Sequence, residues 1–473
     1  MSEQPTDNAV PEPPRETSKD IRTRAGSLRV NFVKRVSQAI SASNVEALRG
    51  LTDGLHEADL GDLIEALPAD LRPRLVELLG IHFDFSALTE VDDAVREEIL
   101  EELPAQTVAE GVRELESDDA VAILEDLPKD EQSEILEQLP PTERIALARS
   151  LDYPEQSAGR RMQTDIIAVP PSWNVGQAID YMRETVELPE RFYELYVADE
   201  QKRFQGAVAL DRLLRSQRPT PIASLVDENR RRILADEDQE EVARTFQRYN
   251  LVAAPVVDAQ DRLVGVLTHD DIADVIVEEA EEDIKALGGV TRDEELSDNV
   301  WRIARGRFNW LLVNLATAFL ASSVLGLFEG QLQQMVALAV LAPIVASQGG
   351  NATTQTMTVA VRALATQDLT DANMWRVVAR ELFVGILNGA AFAVITGVAA
   401  YVWFKVPGLG VVIGLAMVCN MIAAALGGIL IPLALNRLRV DPAVASSPFV
   451  TTVTDVVGFF SFLAIASLWF GLR

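Results

Sequence analysis

Asp455 stands in the run Pro448-Phe449-Val450-Thr451-Thr452-Val453-Thr454-Asp455-Val456-Val457-Gly458 and is the only charge in an apolar stretch from Pro442 to Gly471. An ionised Asp at hydrocarbon depth costs about 2.5–3.5 kcal/mol. Either a protonated or backbone-paired Asp glues helices together, or the carboxylate offsets its cost by binding a cation. A second polar run interrupts apolar sequence at Ala342-Pro343-Ile344-Val345-Ala346-Ser347-Gln348-Gly349-Gly350-Asn351-Ala352-Thr353-Thr354-Gln355. Pro343 frees a backbone carbonyl and the glycine pair permits close backbone approach. Irregular or polar backbone at that depth has to be buried in protein or line water, so this run is expected to break the helix and line a pore. A third group is acidic: Asp270, Asp274, Glu278 and Glu282 recur every four residues, with Asp271, Glu279 and Asp283 beside them. On a helix this is a stripe of like charges, unfavourable by a few tenths of a kcal/mol per pair. It is either a solvated face or a seat for divalent cations.

Other chemistries lack their residues. The three histidines, His56, His82 and His269, are not spaced as ligands for a soft metal, and Cys419 is the single cysteine. Any metal handled here must be a hard cation held by oxygen. The apolar stretches contain no second acid, His or Cys arrangement for hydrolysis, so an enzyme is not expected.

Five apolar spans would position Asp455 and the polar run: Phe308 to Phe328, Met335 to Val361, Leu382 to Phe404, Val406 to Asn436 and Pro442 to Gly471. Each exceeds the roughly 20 residues needed to cross a bilayer. Arg302, Arg305 and Arg307 precede the first, Arg362, Arg376 and Arg380 follow the second, and Arg437 and Arg439 follow the fourth, whereas the opposite connections hold Glu329 and Lys405 but no Arg. The positive-inside rule then puts the N-terminal part in the cytoplasm and the C-terminus outside.

The first 300 residues hold 65 Asp and Glu against 32 Lys and Arg, while the remainder holds 6 against 10. Such a head repels phosphate backbones and anionic lipid and gathers cations, so no nucleic acid is expected. Met1 to Asp20 is polar and Pro-rich, a disordered tail and no signal peptide. From about Asn31 to Asp152 a unit recurs as Leu63-Ile64-Glu65-Ala66-Leu67-Pro68, Leu100-Glu101-Glu102-Leu103-Pro104, Leu124-Glu125-Asp126-Leu127-Pro128 and Leu136-Glu137-Gln138-Leu139-Pro140. Its prolines lie 36, 24 and 12 residues apart, which predicts a helical solenoid restarted by Pro at or near each first turn.

Between Met162 and Ile276 short β runs alternate with helices, and the order occurs twice. The second copy reads Ala254-Pro255-Val256-Val257-Asp258 and then Gly265-Val266-Leu267-Thr268-His269-Asp270-Asp271. These residues resemble a tandem CBS, or Bateman, module. The resemblance implies that Thr268 and Asp271 meet an adenosine ribose, so ATP is a possible ligand; the first copy has Leu210-Asp211-Arg212 without the Thr.

Taken together, Gly349-Gly350-Asn351 with Gln355 and Arg362-Ala363-Leu364, then Val440-Asp441-Pro442-Ala443, the Thr-x-Thr-Asp455 segment, and the acidic run from Asp270 to Asp283 with Leu287-Gly288 resemble the MgtE family of magnesium channels and transporters. The resemblance implies a multidomain fold: a tail over 1–30, an all-α superhelical solenoid over 31–160, an α/β CBS pair over 161–276, an acidic connecting plug helix over 277–305, and a pore domain over 306–473 that is an α-helical transmembrane bundle of five helices per subunit. It implies a homodimer in the bilayer of a bacterial inner membrane with the pore on the dimer axis. Asp455 would be the pore carboxylate, Asn351 and the Gly349-Gly350 backbone would line the pore, and Asp441 would lie at its cytoplasmic mouth. Thr353, Thr354 and Ser447 depart from residues the family often carries there. The expected function is Mg²⁺ uptake, with Co²⁺ or Mn²⁺ as other cargo, closed by cytosolic Mg²⁺ at Asp270, Asp271, Asp274, Glu278, Glu279, Glu282 and Asp283. The alternative is a membrane-anchored nucleotide receptor that conducts nothing.

The topology is testable directly. In a Cys419→Ala background, single cysteines substituted at Gln331 and near Gly408 should react with an impermeant thiol reagent from outside, and one at Ala372 should not. The reverse labelling pattern would invert the orientation.

Overall fold

The computed structural model of the chain describes residues 21–185, 188–189, 191–227, 229–291, 294–295, 299–370 and 372–472. The tail over 1–20 lies outside them, as does the side chain of Ser447. The chain forms two units, Met1–Ile276 and Val277–Arg473.

In the first unit the Leu-Pro pairs act as the spacing predicts. Leu67, Leu103, Leu127 and Leu139 are buried, and the following Pro68, Pro104, Pro128 and Pro140 each stand just before the next helical turn. Proline costs nothing at that position because the first N–H groups of a helix have no internal acceptor. Short helices from Val30–Ser41 to Pro141–Leu151 thereby stack around one continuous core. Arg96 rivets that stack, donating to Asp126 and Asp93 at 2.6 Å each and to the Leu88 carbonyl at 3.2 Å. The tail ends earlier than the expected boundary at residue 30. Ile21 is fully buried in the helical core, and Arg22 Nε donates to Asp59 at 2.6 Å, so burial of one apolar side chain and one ion pair orders residues 21–29.

The CBS copies are two three-stranded sheets of the same build. β1 (Ala168–Val169) pairs parallel with β2 (Glu194–Ala198), which pairs antiparallel with β3 (Phe204–Ala209). β4 (Ile233–Leu234), β5 (Ala253–Val257) and β6 (Leu263–Thr268) repeat this, with the register shift at the same place, Val197/Ala198 in one and Val256/Val257 in the other. Tyr196, Phe204 and Ala207 from the first sheet share a core with Ala253, Val257, Leu263 and Val266 from the second. The helix after β6 runs from His269 to Leu287. The plug expected to start at residue 277 is therefore the continuation of a helix begun inside the second copy.

Among the described residues the second unit contains five helices long and apolar enough to cross a membrane: Val300–Leu327, Val336–Ala365, Met374–Phe404, Leu409–Arg437 and Pro442–Phe470, the last with its apolar span at Pro448–Phe470. The fourth is central and the most buried of the five, whereas the first and third are largely exposed. The expected break at Pro343 is absent, and the second apolar helix is continuous through Val336–Ala365 with Pro343 inside it. A single Pro removes one backbone hydrogen bond, and a long helix packed along its length against neighbours survives that loss. Met357 and Val361 of the second helix cluster with Ala443 and Val450 of the fifth, while Leu338 and Leu341 cluster with Phe462, Leu463 and Ala466. The second and fifth helices therefore run antiparallel.

Candidate functional site: an intramembrane carboxylate and an acidic cluster in the head

Asp455 lies halfway along the fifth apolar helix and is half-buried. Its neighbours' hydroxyls are spent on the backbone: Thr451 Oγ1 donates to the Pro448 carbonyl at 3.2 Å, Thr452 Oγ1 to the same carbonyl, and Thr454 Oγ1 to Thr451 O at 2.9 Å. Among the described residues the Asp455 carboxylate has no hydrogen bond and no ion pair.

Asn351 lies at the same depth as Asp455. Buried Asn420 of the fourth helix touches Gly349 on one side and Gly458 on the other; a Cβ added at Gly349 would stand 2.0 Å from its Nδ2, and one at Gly458 2.8 Å. Those two glycines therefore mark one level. Asn351 is two residues beyond Gly349 and Asp455 three residues before Gly458, displacements of about 3 and 4.5 Å at the helical rise. Because the helices are antiparallel, both displacements point the same way.

The polar run divides into two faces. Ser347, Asn351, Thr354, Gln355 and Thr358 are exposed, at spacings of three to four that set them on one face. Gly349 and Thr353 turn inward: Gly349 meets Asn420, and Thr353 Oγ1 donates to the Ala424 carbonyl at 2.8 Å. Gly349 and Thr353 thus serve packing, contrary to the expectation that they line a pore, while Gly350 is half-exposed. Asp441 is exposed and caps the fifth helix, accepting from Ala443 N at 2.7 Å. That capping is a structural use of the carboxylate expected at the pore mouth.

In the head, Asp270 and Asp271 occupy the first turn of the helix His269–Leu287. Thr268 and Asp271 satisfy one another, Thr268 Oγ1 donating to Asp271 Oδ2 at 2.5 Å and Thr268 N at 3.3 Å. Opposite Asp271 stand acids that the sequence reading missed. Gln163 pairs with Val266 on β6, and its Nε2 donates to Glu116 at 2.6 Å; Thr164 N donates to Ser117 Oγ at 2.7 Å. These bonds pin the start of helix Ser117–Glu125, with Asp118 and Asp119 in its first turn, against the end of β6. Burial, followed by the Asp271 charge, pushes Asp118 well above the usual carboxylate range and Asp119 up to about 7. Burial raises Asp271 too, against the opposing Thr268 hydrogen bond. Burial also raises Asp274, with Asp270 adding to it, and Glu90, with Glu57 and Asp274 adding to it. Two helix N-termini soften this repulsion, since each favours acids in its first turn, but they do not remove it. Asp118 Oδ1 is buried without a partner among the described residues.

No group of three or more acids, His or Cys among the described residues forms a closed metal cage. Glu278, Glu279, Glu282 and Asp283 continue the same helix in the second unit. Its last turn packs Ala286 with Met357 and Val361 of the second apolar helix and Ala443 and Val450 of the fifth. The connection that follows is held to the first apolar helix by Arg307, whose Nε donates to Glu294 at 2.9 Å.

Three comparisons give relatives. The MgtE profile, described as a divalent cation transporter, matches residues 342–465; the MgtE intracellular N domain matches 55–156; and CBS domains match 158–218 and 227–278. A magnesium transporter MgtE of Enterococcus faecalis is 35% identical over 67% of this chain and 70% of its own length. Its counterpart from Bacillus subtilis is 29% identical over 92% of this chain and 97% of its own. A crystal structure of the cytosolic domain of the Mg²⁺ channel MgtE in complex with ATP is 28% identical, covering 51% of this chain and 99% of that one, at a TM-score of 0.47.

The buried acids make stability pH-dependent. Asp119 keeps its proton in the folded head up to about 7 against an ordinary value of 3.8. Its contribution is therefore present at low pH and lost as pH rises through that window, because the unfolded chain gives up the proton first. In divalent-free buffer, thermal unfolding of the head should shift to lower temperature as pH rises from about 3.8 to about 7, the window between those two values, and Asp119→Asn should flatten the slope. A head equally stable across that range would contradict the clustering of these acids.

Proposed function

The chain belongs to the MgtE family, and from that premise we propose that it conducts Mg²⁺ across the membrane past Asp455 and closes when cytosolic Mg²⁺ occupies the acids around Asp271. As a family member it is a multi-pass membrane transporter of Mg²⁺ and no enzyme, which sets aside the non-conducting receptor. The observation that carries the conduction path is the unpartnered Asp455 carboxylate in the layer of Asn351. Mg²⁺ sheds its waters reluctantly, so one acid per chain and several neutral oxygens suit a hydrated ion held through its water shell.

The exposed polar face of Ser347, Asn351, Thr354, Gln355 and Thr358 cannot face lipid tails without cost. A second copy covering that face would build an axial path with two Asp455 carboxylates, which supports the homodimer. Arginines at the expected cytoplasmic ends support a cytoplasmic head and an outside C-terminus. Asp441, at the fifth helix's cytoplasmic end, would add negative charge at the mouth while capping the helix. Co²⁺ and Mn²⁺ are further cargo on the same oxygen chemistry.

For the gate, a divalent cation between Asp118, Asp119 and Asp271, or along Asp270, Asp274, Glu278, Glu279, Glu282 and Asp283, would turn repulsion into attraction. The helix carrying this stripe ends against the two helices that hold Asn351 and Asp455, so a change in its position would be felt there. Driving a two-state gate from mostly open to mostly shut takes about 5.5 kcal/mol of differential binding, hence several sites acting together. ATP at the CBS pair is part of the same proposal: a ribose would take over the Thr268 hydroxyl and Asp271 carboxylate that here satisfy each other.

Two measurements check this. Asp455→Asn, assembled normally, should lose Mg²⁺ flux into liposomes, and wild-type flux would return Asp455 to a helix-gluing role. The combined variant Asp271→Asn, Asp274→Asn, Glu279→Gln, Glu282→Gln should lose inhibition by internal Mg²⁺ stepped in patch recordings from micromolar to about ten millimolar, the range of weak oxygen-ligand sites. Unchanged inhibition would exclude these acids as the sensor.

A further inference from the structure

Asn420 is the fully buried amide of the fourth apolar helix. Its Nδ2 donates to the Val345 carbonyl of the second helix at 2.7 Å. Only this orientation of the amide fits, because Oδ1 in that place would set two acceptors against one another. Oδ1 is consequently buried without a partner among the described residues. An apolar side chain would fill the space without stranding an acceptor, so stability alone does not account for an amide here.

What the amide does is geometric. Gly349 and Gly458 lack the Cβ atoms that would collide with it, so it is wedged between the second and fifth helices at one depth. Eight residues along the second helix a bond runs the other way, from Thr353 Oγ1 to the Ala424 carbonyl at 2.8 Å. The pair brackets the turn that carries Asn351, and the Gly458 contact sets the height of the fifth helix one turn from Asp455. We infer that Asn420 is a positioning residue for ion transport: hydrogen-bonded to Val345 O and wedged between Gly349 and Gly458, it holds Asn351 and Asp455 in one layer and thereby sets which divalent cation passes. The inference rests on Asp455 and Asn351 lining the ion path. Mg²⁺ demands near-ideal octahedral geometry from its shell, so oxygens moved out of their layer should discriminate against it before they discriminate against a more tolerant ion.

The test measures Mg²⁺ and Co²⁺ flux separately in liposomes holding the full chain. Asn420→Ala should assemble, lose Mg²⁺ flux by about tenfold or more, as orientation-dependent steps do when a supporting contact goes, and raise the Co²⁺ to Mg²⁺ ratio severalfold. Gly349→Ala alone should assemble poorly because its methyl meets the amide. The double variant Gly349→Ala/Asn420→Ala refills the space, so assembly should return while the altered ratio persists. Wild-type flux and ratio in Asn420→Ala would overturn the inference, and so would an equal fall for both ions, which loss of folded protein produces. If Asn420→Ala fails to assemble, the double variant decides; if neither assembles, Asn420 is a folding residue and the inference is wrong. Asp455→Asn run alongside separates the levels. Normal flux there removes the ion path itself, whereas a silent Asp455→Asn beside a normal Asn420→Ala removes this inference alone.

Discussion

The expense of holding a carboxylate at hydrocarbon depth, about 2.5–3.5 kcal/mol for an ionised Asp, organises the membrane half of the chain. A group carried at that cost with no partner among the described residues constrains its surroundings: the helices beside it must be long, packed and free of further charge. The fourth helix supplies the packing, and the two helices bearing Asp455 and Asn351 lie against it through Asn420, Gly349 and Gly458. The neighbouring threonines return their hydroxyls to the backbone, so they add no competing donors. The result is a carboxylate with no partner among the described residues beside threonines whose hydroxyls are satisfied.

The head works with the same electrostatics in the opposite setting. There, acids are gathered where water can partly reach them, and burial together with mutual repulsion holds several above their ordinary range. Bonds from Gln163 and Thr164 to Glu116 and Ser117 keep the acids together despite that repulsion. A structure that stores repulsion is sensitive to whatever neutralises it, whether protons or divalent cations. In the membrane the acid stands alone in its helix, whereas in the head several acids stand together.

How much of this was legible in the sequence depends on range. Hydropathy runs longer than a bilayer is thick named all five spans, because crossing requirements act on contiguous residues. The Leu-Pro pairs announced helix restarts, since proline's missing N–H is harmless only there, and the doubled strand-helix order announced the paired sheets. Asp455 stood out for the same local reason: one charge in an apolar run. The resemblance to the MgtE family was also carried by short contiguous motifs.

Contacts between distant segments decided the rest. Nothing along the chain singles out Asp118 and Asp119, and only the docking of residues 163–164 on 116–117 sets them facing Asp271, some 150 positions later. Pro343 suggested a break, but packing along the second helix outweighed one lost hydrogen bond. Gly349 read as a backbone window onto a pore and proved to be the space into which Asn420 fits. Sequence by itself determined which segments are helical, apolar or charged, because those are properties of neighbours along the chain. Which polar atom meets which was settled only by tertiary structure, because a side chain's partner depends on the face and depth at which another helix crosses it.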